Sequence, residues 1–228
     1  MRRKAHGIFC LEDDWWRDFN RTSTVEPVLS LIAQGVEMDV PHVHRDVGTV
    51  EELDYYLKRW TQAGSAQYAI LYLAFHGRQG AIFVGDRRRK RSVVTLDDLA
   101  DMLGEGLSGR IVHFGSCETM GVDKRHIRRF LTNTGLVAAT GFKSQVDWLT
   151  SAVFDVLLFE AMLRHSLTPG GARAIRNDMW NEYRALCNRL DFRMIVRGPK
   201  KAKTAGTDER LGAAPAARGR APQGKKRG

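Results

Sequence analysis

YAILYLAFHG (residues 68–77) decides the fold. An unbroken run of apolar and aromatic side chains, with no polar alternation, suits a parallel strand covered on both faces. It stops abruptly at an imidazole, His76, followed by Gly77. On its own, a histidine in such a place reads as a buried ring with one satisfied hydrogen bond. The surrounding pattern decides whether it is more than that.

Upstream, GIFCL (7–11) is a short apolar run closed by Glu12, Asp13 and Asp14, which predicts a buried strand. STVEPVLSLIAQG (23–35) predicts a helix, with Ser23 or Thr24 as N-cap, Glu26 in the first turn and Gly35 as its stop. MDVPHVHRDV (38–47) contains Pro41 and reads as an edge strand. TVEELDYYLKRW (49–60) predicts a second helix, with a capping box of Thr49 and Glu52 and an apolar face of Val50, Leu53, Leu57 and Trp60.

Downstream, AIFVGDRRRKRSVVTLDDLADMLG (81–104) predicts a hairpin with a basic tip at Arg87 to Arg91, leading into a helix capped by Thr95. GRIVHFGSC (109–117) and GLVAATGF (135–142) predict further core strands, and AVFDVLLFEAML (152–163) a buried helix. In the last helix Ile175, Met179, Tyr183, Leu186 and Leu190 share a face. Alternating strand and helix from residue 7 to about 165 predicts an α/β fold, a mostly parallel sheet with helices on both faces.

The chain of 228 residues, 43% hydrophobic and 27% charged, is long enough for one sizeable core. Its net charge of +10 is unevenly placed: ten basic residues against two acids from Arg197 onward carry +8, which leaves residues 1–196 at +2. The expected organisation is therefore a folded domain over 1–196 and a basic tail over 197–228 without apolar periodicity, expected to be disordered. The tail could attract nucleic acid or another anionic partner. Cys10, Cys117 and Cys187 show no CxxC spacing, which argues against a disulfide framework and a structural zinc site. Early acids cut short any signal-peptide core, and no run reaches the roughly 20 apolar residues of a membrane span. A cytoplasmic protein with no membrane span is expected.

In an open parallel sheet, chemistry collects at the carboxyl ends of the strands. If the strands ending at His76 and Cys117 are neighbours, about 4.8 Å apart, an imidazole and a thiol meet in one crevice, the pairing that nucleophilic catalysis needs. The amides of Gly77 and Cys117 could form an oxyanion hole. Gly115 and Ser116 are small beside the thiol.

The paired strands LYLAFHG and IVHFGSC resemble the caspase-like cysteine peptidases, and the hairpin and helix between them, with ATGFKSQVDWLTSAVFDVLLFEAML further on, are similar to the CHAT-type proteases of that group. The resemblance covers about residues 5–165. It implies Cys117 as nucleophile, His76 as its proton-transfer partner and the Gly77 and Cys117 amides as oxyanion donors. It implies peptide-bond hydrolysis of a protein substrate without metal or organic cofactor. An arginine such as Arg21 would suit an acidic side chain before the cut. Asp13, Asp14, Asp147 or Glu12 would suit a basic one, and this is the expectation, because the acids follow directly on the first strand. Family analogy adds a bacterial defence or signalling module and a separate activating protein.

Other readings stand beside it. A catalytically silent caspase-like adaptor would keep the fold, and a nucleic-acid-binding protein would work through the tail. FGSCE lacks the serine-hydrolase elbow, so Ser116 carries little weight. His113 reads as packed or surface-facing, and His42 and His44 as a weak metal pair without a third ligand. Trp15 and Trp16, with nearby Arg17, could stack on a partner but read first as part of a packed loop. RRRKR (87–91) is a solvated tip, a nucleic-acid contact or a self-processing site.

Overall fold

The computed structural model describes residues 6–16, 20, 23–35 and 40–199. The compact unit ends at Gly198. Arg21 and the tail beyond Pro199 lie outside the described residues, so the expectations resting on them do too.

The chain opens with β1 (Ile8–Glu12), α1 (Glu26–Gly35), β2 (His42–Asp46) and α2 (Val50–Thr61). β3 (Ile70–Ala74) follows, then three short strands, β4 (His76–Arg78), β5 (Ala81–Phe83) and β6 (Val93–Thr95), and α3 (Leu96–Leu103). β7 (Ile111–Phe114), α4 (Lys124–Thr134), β8 (Ala138–Phe142) and α5 (Trp148–Arg164) continue the alternation. α6 (Pro169–Glu182), α7 (Arg184–Arg189) and β9 (Phe192–Val196) complete it.

Six strands form the main sheet in the order β2-β1-β3-β7-β8-β9, parallel except for the antiparallel edge strand β9. β3 is central, in register with β1 (Ile8 opposite Ile70) and with β7 (Ile70 opposite Ile111). Pro41 precedes β2, which lies at the edge as its proline suggests.

β3 shows why its sequence is apolar throughout. Ile70, Tyr72 and Ala74 face a core built with α1, α5 and α6, while Leu71, Leu73 and Phe75 face a second core built with α2, α3 and α4. Alternate side chains enter opposite layers, so neither parity can be polar. Each fully buried Leu, Ile or Phe here contributes about 1.5–3 kcal/mol of transfer free energy.

Helix starts follow local chemistry. Thr95 and Asp98 form a complete capping box at α3. At α2, Thr49 accepts from the Glu52 amide, but the Glu52 carboxylate reaches back to the Gly48 amide, 3.0 Å away, so the expected box is displaced by one residue. The predicted last helix is two, broken at Tyr183. α4 and β9 are absent from the sequence reading. α4 carries its own signals: Asp123 caps it, Ile127, Phe130 and Leu131 are its buried face, and Gly135 ends it at φ 80°.

Among the described residues no helix is long and apolar enough to cross a membrane.

Candidate functional site at the strand ends

The strand order turns at β1 and β3: the chain leaves β1 toward β2, then crosses back to β3 and continues through β7 and β8. That is the switch point at which parallel sheets open a crevice beyond their carboxyl ends. The three strand ends are tied together there. The Ala74 carbonyl accepts from the Asp13 amide (3.1 Å), and the Leu73 carbonyl from the Gly115 amide (3.0 Å).

His76 is not the last residue of β3. The strand stops at Ala74, and His76 opens β4, the edge of a separate three-stranded antiparallel sheet with β5 and β6. This small sheet is sewn to the turn after β7 by Thr119, whose hydroxyl donates to the Ala81 carbonyl at 3.2 Å and whose carbonyl accepts from the Gly80 amide at 3.2 Å. Gly77 lies flat against that turn. A Cβ there would collide with the Cys117 carbonyl oxygen and come within 2.5 Å of Thr119 Oγ1 and 2.9 Å of Ser116 Cβ. Only glycine permits this approach, which brings the His76 and Cys117 segments together.

The turn itself is strained. Glu118, immediately after the thiol, has φ 58° without being glycine, a conformation that costs roughly 1–2 kcal/mol. It is held by the Glu118 amide donating to the Ser144 carbonyl (3.1 Å) and the Gly121 amide to the Glu118 carbonyl (2.6 Å). Ser116 is sealed beneath it, bonded to the Thr119 hydroxyl at 2.7 Å. Gly115 must be small for a different reason than expected: a Cβ would strike the Tyr72 ring, 2.5 Å from Cε2.

His76 and Cys117 line one cavity of about 570 Å³. Trp15, Trp16 and Ser23 from the segment after β1 form one wall, and Asp147, Trp148 and Leu149 from the start of α5 form another. His76 Nε2 lies 2.9 Å from the Trp15 carbonyl oxygen. A carbonyl can only accept, so Nε2 carries the proton and the basic lone pair of the neutral ring is on Nδ1. The Trp15 indole stands edge-on to the same ring, centroids 5.4 Å apart. Cys117 Sγ receives the Val146 amide at 3.4 Å and lies 3.8 Å from the Val146 carbonyl oxygen. The chemistry on offer is a thiol and an oriented imidazole facing solvent-accessible space. Cys10 and Cys187 are both fully buried, and burial pushes both thiols up, Cys187 to about 11.

The acids are not equivalent. Asp13 is 7% exposed, and its carboxylate accepts from the amides of Gly85 (2.7 Å) and Asp14 (2.8 Å), tying the β1 end to the hairpin. Burial pushes its pKa up despite these bonds. Asp13 and the exposed Asp14 line a neighbouring cavity of about 420 Å³ together with His76, Arg87 and Arg88. Asp147 lines the Cys117 cavity, is exposed, and caps α5. The Thr150 amide and hydroxyl hold its pKa below the usual carboxylate range.

Glu12 is 2% exposed. Its Oε1 accepts from the Trp15 indole N–H (2.5 Å) and the Val25 amide (2.8 Å). Oε2 accepts from the Thr24 hydroxyl (2.6 Å) and His44 Nε2 (2.6 Å). The bond to Glu12 raises the His44 pKa against the opposing effect of burial. Glu12, His44 and Asp46 bring ligand-type atoms within 4.8 Å of one another, but both Glu12 oxygens are already filled by protein donors, which makes an ion pair the better description.

His113 belongs to a second, sealed group. It is fully buried, with Nδ1 2.8 Å from Thr140 Oγ1 and Nε2 2.9 Å from Asp155 Oδ1, and the Tyr72 hydroxyl donates to Asp155 Oδ2 at 2.7 Å.

Of the residues singled out in the sequence, His76, Cys117 and Asp147 line one cavity, Asp13 and Asp14 line the adjoining one with His76, and Gly77 packs against the Cys117 turn. The Trp15 carbonyl, the Val146 amide and the Thr119 stitch were not legible, because backbone groups and single hydroxyls leave no pattern. For Trp15 and Trp16 the sequence favoured a packed loop over stacking on a partner.

No curated protein matches the chain. A family model described as a family of unknown function, DUF6642, matches residues 5–196, which takes in all nine strands, and the chain belongs to that family.

Proposed function

We propose that the protein is a caspase-like cysteine endopeptidase in which Cys117 attacks and His76 moves the proton. The observation that carries this reading is the shared cavity: the imidazole and the thiol come from the segments that follow the adjacent strands β3 and β7, and the Trp15 carbonyl orients the ring.

In this reading the steps run in order. The Cys117 thiol gives its proton to His76, and the sulfur bonds to the scissile carbonyl carbon. The carbonyl oxygen becomes an oxyanion held by the Gly77 and Cys117 amides. His76 returns the proton to the leaving amine as the C–N bond breaks. Water then adds to the thioester, giving its proton to His76. The C–S bond breaks, the carboxylic acid leaves, and the thiol is restored.

The cavity also favours a basic side chain before the cut. Three indoles, Trp15, Trp16 and Trp148, with the ionised Asp147 carboxylate, are the environment in which a guanidinium or ammonium is held by cation–π and charge attraction. Arg87 and Arg88 lie on the adjoining His76 cavity, which keeps self-processing of that loop within the same reading.

The test is cleavage of a peptide library by wild type, Cys117→Ala and His76→Ala. The proposal expects hydrolysis after Lys or Arg in wild type alone. Cleavage that survives Cys117→Ala, or none in wild type with candidate activating proteins present, would remove it.

A further inference from the structure

We propose that Glu12 is a positioning residue for His76: its buried carboxylate clamps both described ends of the segment between β1 and α1 and thereby fixes the Trp15 carbonyl that receives the His76 Nε2–H. The inference rests on the dyad reading of His76 and Cys117.

The carboxylate has four donors and no spare capacity. Trp15 and the Thr24–Val25 pair lie at opposite ends of the segment, and one carboxylate joins them at 2.5–2.8 Å. His44, from the edge strand β2, closes the fourth position at 2.6 Å. The described residues between Asp13 and Thr24 form no strand or helix of their own. Its Trp15 is thus fixed through its indole N–H on one side and delivers its carbonyl to His76 on the other, 2.9 Å from Nε2. The Trp16 indole N–H donates to Ser23 Oγ at 2.7 Å, and both side chains line the Cys117 cavity. Saturation of its oxygens also separates Glu12 from the acids that could meet a substrate, Asp14 and Asp147. The acid that ends β1 works through the imidazole and leaves the substrate to others.

The readout is the pH dependence of Cys117 alkylation by iodoacetamide in the full chain, resolved by mass spectrometry so that Cys10 and Cys187 do not contribute. His76→Ala moves the titration toward that of an ordinary thiol. Glu12→Gln is expected to move it in the same direction, and so is Trp15→Phe, which keeps an aromatic ring beside His76 and deletes only the indole donor. One pKa unit of movement lowers the neutral-pH alkylation rate by about tenfold. Trp15→Phe keeps the comparison valid if Glu12→Gln does not fold. Profiles of the folded variants that superimpose on wild type while His76→Ala is shifted overturn the positioning role. A His76→Ala profile that superimposes on wild type removes the dyad, and the inference with it.

Discussion

His76 opens β4 beyond the end of β3, whereas His113 lies inside β7 opposite Tyr72. His113 has a partner on each ring nitrogen, Thr140 on one and Asp155 on the other, with Tyr72 stacked at 5.3 Å. It looks more like a catalytic triad than His76 does. Yet its side chain and that of Asp155 are 0% and 2% exposed, and neither lines the cavity that holds Cys117. His76 meets the Trp15 carbonyl at 2.9 Å and stands in a cavity with a thiol. The difference teaches that hydrogen-bond completeness marks a group that holds β3, β7, β8 and α5 in one arrangement. Access to space and to a nucleophile marks a group able to react.

The comparison breaks most readily through the dyad. Cys117→Ala or His76→Ala is expected to lower peptide hydrolysis by at least about 100-fold, with the urea midpoint nearly unchanged. Removing the sealed group should do the reverse. Asp155→Ala leaves the Tyr72 hydroxyl and the His113 ring without their buried partner, and a loss of about 3–5 kcal/mol in urea unfolding is expected. A loss below about 1 kcal/mol would mean the network is dispensable.

Gly77→Ala tests the boundary between the two regions. Its Cβ would meet the Cys117 carbonyl, a backbone atom that cannot rotate away. A cost of about 1–3 kcal/mol is expected, with activity falling as the His76 and Cys117 segments are pushed apart.

The Glu12–His44 pair gives a smaller, pH-dependent effect. The folded pKa of His44 is raised by its bond to Glu12. Its contribution to stability is therefore fully present below the unfolded value of about 6.5 and is lost as pH rises through the folded value. Denaturant midpoints should show this decline in wild type, and His44→Gln should flatten it.

The smallest effect is expected at the rim. Leu149 is 65% exposed and Val153 52%, one turn apart on α5. Leu149→Ser should change stability by no more than about 0.5 kcal/mol while raising KM, because Leu149 lines the Cys117 cavity.

What the sequence made legible was whatever repeats along the chain. The unbroken apolar run of β3, the Thr95 cap and the proline-marked edge strand all rest on local chemistry. The parallel-sheet pattern left open whether β3 and β7 are neighbours, and the meeting of His76 and Cys117 hung on it; the sheet sets the two strands side by side. β4 escaped notice because three residues, His76–Arg78, show no period. β9 escaped because an antiparallel strand after a helical stretch breaks the alternation being followed. Glu12 was visible only as one of several acids. Its role depends on Trp15, Thr24, Val25 and His44 converging from separate parts of the chain.

The central claim is that Cys117 is a nucleophile served by His76 in a cavity that takes a peptide. A peptidyl chloromethyl ketone with lysine or arginine at its reactive end tests this most directly, with the adduct located by mass spectrometry. The account predicts one adduct, on Cys117, formed much more slowly in His76→Ala and competed by basic peptides. Labelling of Cys117 at the same rate in wild type and His76→Ala, or labelling elsewhere with Cys117 untouched, would contradict it.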